Sequence, residues 1–200
     1  MWAPQRDVLA DHDVHAPNLY DLGGNSIDAW ATRILSEIEG DFAAVGSSMG
    51  GYVALATARL EPERVRGLFL AGARAGADDA KRRAGRDKAI ATLRERGIEA
   101  WSPSAPAHPP PERTLDELIR ATEALRDRED STDLVARFER PLWIVVGDAD
   151  PFLPVDEARE VVESAPNGRL EVFEGVGHFP NTERPDRFNE LLREFLEAAG

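Results

Sequence analysis

Residues 46–50, with the sequence GSSMG, fit the pattern G-x-S-x-G. They lie where a short apolar run at residues 42–45 gives way to a helical pattern at residues 52–60. A serine on such a strand-to-helix turn exposes its hydroxyl, and small flanking residues leave room for the tight backbone. We predict that Ser48 is a nucleophile and that Gly46 and Gly50 form the elbow around it.

The backbone N–H of Met49 directly follows this serine, at the start of the predicted helix. The first N–H groups of a helix have no partner within the helix, and they favour negative charge. We therefore expect the Met49 N–H to bind the oxyanion that develops during acyl transfer.

A serine hydroxyl is a weak nucleophile until a base removes its proton and an acid orients that base. Asp150 follows an apolar strand pattern at residues 142–146, and His178 follows another at residues 170–173. The glycine-rich loop at residues 175–180 can place an imidazole over the edge of a sheet. We predict Asp150 as the acid and His178 as the base, because each follows a predicted strand. The order along the chain, serine then aspartate then histidine, is also one that occurs in catalytic triads.

Each of these residues also has a purely structural interpretation. Ser48 could be a small residue before a helix, and His178 could hold its loop through a backbone hydrogen bond. Asp150 could form a turn before Pro151, and for Asp148 we prefer that role. The other three histidines lack metal-ligand spacing and are expected to be solvated: His12, His15 and His108.

Composition excludes several classes of function. The 200 residues suit one domain with a full hydrophobic core. A formal charge of -13 repels phosphate backbones and anionic membrane surfaces, so neither nucleic acid nor a membrane is an expected partner. Without cysteine the chain forms no disulfide, thiolate nucleophile or cysteine-ligated zinc site. Residues 1–21 show no continuous apolar stretch, and we expect a cytoplasmic protein.

Apolar runs that fit buried strands alternate with segments of helical periodicity. Strand patterns lie at residues 14–19, 42–46, 65–71, 142–146 and 170–173, the first of them weak. Helical patterns lie at residues 27–38, 49–60 and 188–196. Strands separated by helices predict an α/β fold with a mostly parallel sheet flanked by helices.

Residues 74–140 break this alternation. They contain helical patterns at 78–96 and from 114 to about 128, and they contain no convincing strand. Between them, residues 102–111 include five prolines, which fit either a flexible linker or an ordered hinge. We predict a core of residues 1–73 and 141–200, with residues 74–140 as a helical cap over the carboxyl ends of the strands. Trp101 could line a pocket there.

These motifs resemble the α/β-hydrolase superfamily, and within it the small esterase-like members related to pimeloyl-carrier-protein methyl ester carboxylesterases. Residues 46–52 are similar to the family's elbow, and residues 147–154 to its acid loop. Gly177 and His178, followed by Glu183 and Pro185, are similar to its histidine loop and last helix. The resemblance implies hydrolysis of a small-molecule ester or lactone through an acyl-serine intermediate, without a cofactor or metal.

The amino-terminal region also resembles the family, with one departure. Residues 1–5 with Leu9 look like the family's first helix, and residues 14–19 like the strand after it. Family members normally begin with a further strand and a His-Gly or Pro-Gly loop that supplies a second oxyanion N–H. We expect these amino-terminal strands to be missing from a shortened chain, at a cost of about 3 to 4 kcal/mol in transition-state stabilisation. Two alternatives stay open: a cofactor-free perhydrolase or haloperoxidase-like enzyme, and an inactive scaffold.

Overall fold

Four parallel strands form the sheet in this computed structural model, which describes residues 1–100 and 113–200. In spatial order they are β1 (Phe42–Ser47), β2 (Val65–Ala71), β3 (Leu142–Gly147) and β4 (Gly168–Phe173). The predicted α/β fold and the strands predicted at 42–46, 65–71, 142–146 and 170–173 are confirmed. Because all four strands run in parallel, their carboxyl ends lie at one edge of the sheet.

Helices connect and cover these strands. The α-helices of the described residues are α1 (Ile27–Leu35), α2 (Met49–Leu60), α3 (Ala80–Arg96), α4 (Leu115–Arg126), α5 (Thr132–Val135), α6 (Val155–Ser164), α7 (Pro180–Glu183) and α8 (Pro185–Ala199). The helices predicted before β1, after Ser48 and at the carboxyl terminus are confirmed, as are the two helical patterns between β2 and β3. Short polar side chains start several of them: Ser26 accepts the N–H of Ala29 at α1, and Thr114 forms a capping box with Glu117 at α4.

The two central strands are buried on both faces. One face of the sheet packs against α2 and α6 through a cluster that includes Leu68, Leu70 and Ile144. The other face packs against α8, where the Phe69 ring lies 5.3 Å from that of Phe188 and 5.1 Å from that of Phe195. This double covering explains why β2 and β3 read as continuous apolar runs rather than alternating ones.

The strand predicted at residues 14–19 is wrong. This segment forms no strand, and a 3-10 helix begins at its last residue (Leu19–Asp21). Val14 is 47% exposed, so a strand here would gain little apolar burial, and none of the four described strands pairs with residues 14–19. The first helix, expected from residues 1–5 with Leu9, is reduced to a single 3-10 turn at Ala3–Gln5.

A buried ion cluster holds the helical segment that joins β2 to β3. The carboxylate of Asp78 is fully buried and is hydrogen-bonded to Arg74, to Arg86 at 2.6 Å and to Arg128 at 2.7 Å. The guanidinium of Arg128 also lies 4.2 Å above the ring of Tyr52 in α2. These contacts tie the start of the segment, before α3, to the residues that follow α4.

In the same segment, α3 and α4 pack against each other, and Ala121 and Ala124 of α4 are buried against α1 and α2. The proline-rich residues 102–111, with His108, and the neighbouring Trp101 lie outside the described residues.

Burial by itself raises the pKa of Asp78, but the hydrogen bonds and charges of Arg86 and Arg128 outweigh it and hold the pKa below its ordinary value. Asp78→Asn should therefore lower the free energy of unfolding at pH 7 by about 3 to 5 kcal/mol, because it leaves the buried guanidinium of Arg128 without its counter-charge. Urea unfolding measures this loss. Asp13→Asn, at an exposed carboxylate, is the control and should change little.

The pH dependence of this contribution follows from the lowered pKa. Ionised Asp78 stabilises the fold fully above the pKa of the unfolded carboxyl, about 3.9, and the contribution is lost as the pH falls through the lower folded value. The difference between the wild type and Asp78→Asn should therefore shrink as the pH falls below about 4. Two results would contradict this account. Asp78→Asn and Asp13→Asn could lower the free energy of unfolding equally, or the effect of Asp78→Asn could be independent of pH.

Candidate active site

Three side chains that are distant in the sequence meet at the carboxyl edge of the sheet. Ser48 follows β1, Asp150 follows β3 and His178 follows β4. His178 Nε2 lies 2.8 Å from Ser48 Oγ, and its Nδ1 lies 2.8 Å from Asp150 Oδ2. The structure thus joins all three predicted residues in one hydrogen-bonded chain. A hydroxyl, an imidazole and a carboxylate in this order can activate the hydroxyl as a nucleophile.

The backbone of Ser48 is strained at the turn between β1 and α2. Its φ of 51° and ψ of -117° make it the only non-glycine residue with positive φ among those the structure describes. Its N–H donates to Ala71 O at 2.7 Å, which ties the turn to β2. A Cβ at position 46 would lie 2.4 Å from Gly50 O, so the tight turn depends on glycine there.

The second glycine of the motif, Gly50, has open space where a Cβ would stand. The close approach is made instead at Gly51, where a Cβ would lie 2.4 Å from that of Ala73. Gly50 lies in the first turn of α2, but the packing of α2 against the residues after β2 depends on its neighbour.

Asp150 is oriented through both of its carboxylate oxygens. Oδ2 faces His178, while Oδ1 accepts the N–H groups of Phe152 at 2.8 Å and Leu153 at 3.3 Å. The side chain is fully buried. Asp148 instead accepts the N–H of Gly175 at 2.7 Å and links the acid loop to the histidine loop. We expected Asp148 to form a turn before Pro151, and this link between two loops is a different structural role.

Aromatic rings enclose the imidazole of His178. The rings of Phe152 and Phe179 each lie 4.9 Å from it, at interplanar angles of 68°. His178 is only 5% exposed, whereas Phe152 is 49% exposed. Sequence reasoning missed Phe152 and Phe179. Their positions next to the acid loop and directly after the histidine were the available signal.

The Met49 N–H lies at the start of α2, immediately after the strained serine. No acceptor takes this N–H within residues 1–100 and 113–200, so it is available to a developing oxyanion next to Ser48.

In the same two ranges, no group of three or more His, Asp or Glu side chains is arranged to hold a metal ion. The helices described are also too short or too polar to cross a membrane.

Gly72 provides a test of how closely the imidazole is packed. Its φ is 63°, and a Cβ there would lie 2.8 Å from Cε1 of His178. Gly72→Ala should slow the reaction of Ser48 with a fluorophosphonate by more than about 10-fold, because it displaces the ring from the serine. The measurement is the rate of covalent labelling.

Gly40→Ala is the matched control for Gly72→Ala. Gly40 has a φ of 71° and open space for a Cβ, so its substitution adds the same backbone strain without touching the site. The labelling rate should stay near that of the wild type. An equal loss in both variants would mean that strain, and not contact with His178, causes the effect.

The chain is similar to known proteins in both its sequence and its fold. The sequence profile of a family described as "Alpha/beta hydrolase family" matches residues 1–191. The chain is similar to a 2-hydroxy-6-oxononadienedioate/2-hydroxy-6-oxononatrienedioate hydrolase from Paraburkholderia phymatum, at 27% identity over an alignment that covers 76% of this chain. The match spans 61% of that relative's length.

Two solved structures share the fold. A thermophilic esterase from Thermogutta terrifontis superposes with a TM-score of 0.80 at 24% identity, over 99% of this chain and 85% of its own. An enol-lactonase from Burkholderia xenovorans superposes with a TM-score of 0.80 at 19% identity, over 98% of this chain and 85% of its own.

Proposed function

Since this chain belongs to the alpha/beta hydrolase family, we propose that it is a serine hydrolase that cleaves a carboxylic ester or lactone through an acyl-serine intermediate. One observation carries the proposal: the continuous hydrogen-bonded chain from Ser48 through His178 to Asp150, with 2.8 Å at each link. No cofactor or metal enters the reaction.

In the first half of the reaction, His178 Nε2 takes the proton from Ser48 Oγ as that oxygen attacks the carbonyl carbon of the substrate. The carbonyl oxygen becomes an oxyanion, which accepts a hydrogen bond from the Met49 N–H. The imidazolium is stabilised by the buried carboxylate of Asp150. When the C–O bond of the ester breaks, the proton on His178 passes to the leaving alkoxide.

In the second half, water takes the place of the alcohol. His178 removes a proton from the water as its oxygen attacks the acyl carbon, and a second oxyanion forms. Collapse of this oxyanion breaks the bond to Ser48 Oγ, which regains its proton from His178. The products are a carboxylic acid and free enzyme. When the substrate is a lactone, the carboxylic acid and the alcohol are parts of one molecule.

We further propose that residues 74–140 serve as the cap that shapes substrate choice. The ion cluster around Asp78 and the packing of α4 against α1 and α2 support this role. These contacts hold the helical segment beside α2, the helix that follows Ser48. The exposed ring of Phe152 beside His178 supports an apolar substrate group at this point.

Ser48→Ala should abolish both the release of p-nitrophenol from p-nitrophenyl acetate and labelling by a fluorophosphonate, since both require the Oγ nucleophile. The neighbouring Ser47 supplies the matched control. Its hydroxyl is buried without a hydrogen-bond partner among the described residues, so Ser47→Ala should retain labelling and turnover within about 2-fold.

Mass spectrometry of the labelled protein should locate the adduct on Ser48. Two results would contradict the proposed function: activity that persists in Ser48→Ala, or a folded wild type that neither releases a burst of p-nitrophenol nor takes the label. The second result would favour the scaffold alternative. Formation of peracid from peroxide on the same preparation would instead favour the perhydrolase alternative.

A further inference from the structure

A carboxylate outside the triad holds the backbone on both sides of His178. Glu183 Oε2 accepts the N–H of Gly177 at 2.8 Å, and Oε1 accepts the N–H of Phe179 at 2.9 Å. The backbone N–H of Glu183 in turn donates to Phe179 O at 2.9 Å. One side chain therefore binds the backbone N–H groups of the residues immediately before and after the histidine.

The close approach of this carboxylate depends on the residue before the histidine. A Cβ on Gly177 would lie 3.2 Å from Oε1 and 3.3 Å from Oε2 of Glu183, so a larger residue there would press against both oxygens. The glycine thus admits the carboxylate to the loop.

The rest of the loop is held by neighbouring elements. Ahead of the histidine, Val176 O accepts the N–H of Ala149 at 3.0 Å, which joins the loop to the acid loop. After it, Asn181 O accepts a hydrogen bond from the fully buried Gln5 at 2.9 Å. Glu183 binds the backbone between these two contacts, at the residues on either side of the histidine.

Stabilisation of the last helix does not explain this carboxylate. A negative charge near the start of α8 would favour the helix dipole, but both oxygens of Glu183 are directed to the loop. The helix α8 begins at Pro185 without a side-chain cap. The exposed carboxylate is therefore committed to the residues around the histidine.

We propose that Glu183 is a positioning residue for the base His178. It keeps the imidazole within hydrogen-bond distance of Ser48 and Asp150. The inference rests on the proposed function. Charge-assisted hydrogen bonds are shorter and stronger than neutral ones, and two of them restrain the histidine backbone from both sides. A proton transfer between groups 2.8 Å apart is sensitive to displacements of less than about 1 Å.

Glu183→Ala is expected to lower kcat for p-nitrophenyl acetate by about 10- to 100-fold and to change KM by less than about 2-fold, because the base moves while the substrate pocket is unchanged. Glu183→Gln should lose less, since its amide oxygen still accepts one of the two N–H groups. Glu174→Gln is the control. Glu174 is exposed and lies a few residues before His178, and its substitution removes the same charge. It should match the wild type.

A second readout does not depend on activity. In Glu183→Ala, the amide hydrogens of Gly177 and Phe179 should both exchange with solvent faster than in the wild type, because each loses its acceptor. Both exchange rates should stay at the wild-type level in Glu174→Gln. If the enzyme proves inactive while Glu183→Ala speeds both exchanges, the proposed function fails but the Glu183 contacts stand.

Three outcomes would overturn the positioning role. The amide hydrogens of Gly177 and Phe179 could exchange no faster in Glu183→Ala than in the wild type. Glu183→Ala could retain the kcat of the wild type, or it could change KM alone. Thermal unfolding of each variant shows whether a loss of kcat reflects the site or the whole fold.

Discussion

The candidate site depends on one constraint: a single imidazole must hydrogen-bond to a hydroxyl and to a carboxylate at the same time. His178 meets both partners at 2.8 Å, although 130 residues separate it from Ser48 and 28 from Asp150. Parallel strands satisfy this constraint because their carboxyl ends share one edge of the sheet. The order β1-β2-β3-β4 places the three loops that follow β1, β3 and β4 along that edge.

Close backbone packing makes this arrangement specific. The positive φ of Ser48 is unfavourable for a residue with a side chain, and the ladder between β1 and β2 and the buried helix α2 compensate for it. The histidine ring fits against the backbone of Gly72 and between Phe152 and Phe179, which leaves it little freedom to turn away. Backbone contacts, as much as the triad itself, therefore set the geometry.

Much of the fold was predictable because its signals are local. The apolar runs of β2 and β3 are buried on both faces, and α8 carries a clear apolar stripe that covers Phe69. The failures have tertiary causes. Residues 14–19 carry a weak strand pattern, but no described strand pairs with them. Sequence reasoning did not name α6, which packs against β3 and β4, because its apolar positions are few among many charges.

The sequence by itself determined which residue types could act and in what order: a serine in a glycine-rich turn, an aspartate after one strand and a histidine after another. It could do so because turn chemistry and strand patterns are short-range. Only the tertiary structure decided that these groups lie within hydrogen-bond distance, that Asp148 links two loops, and that Glu183 holds the backbone around His178. Those contacts depend on how distant segments pack, and no local pattern encodes a distance between them.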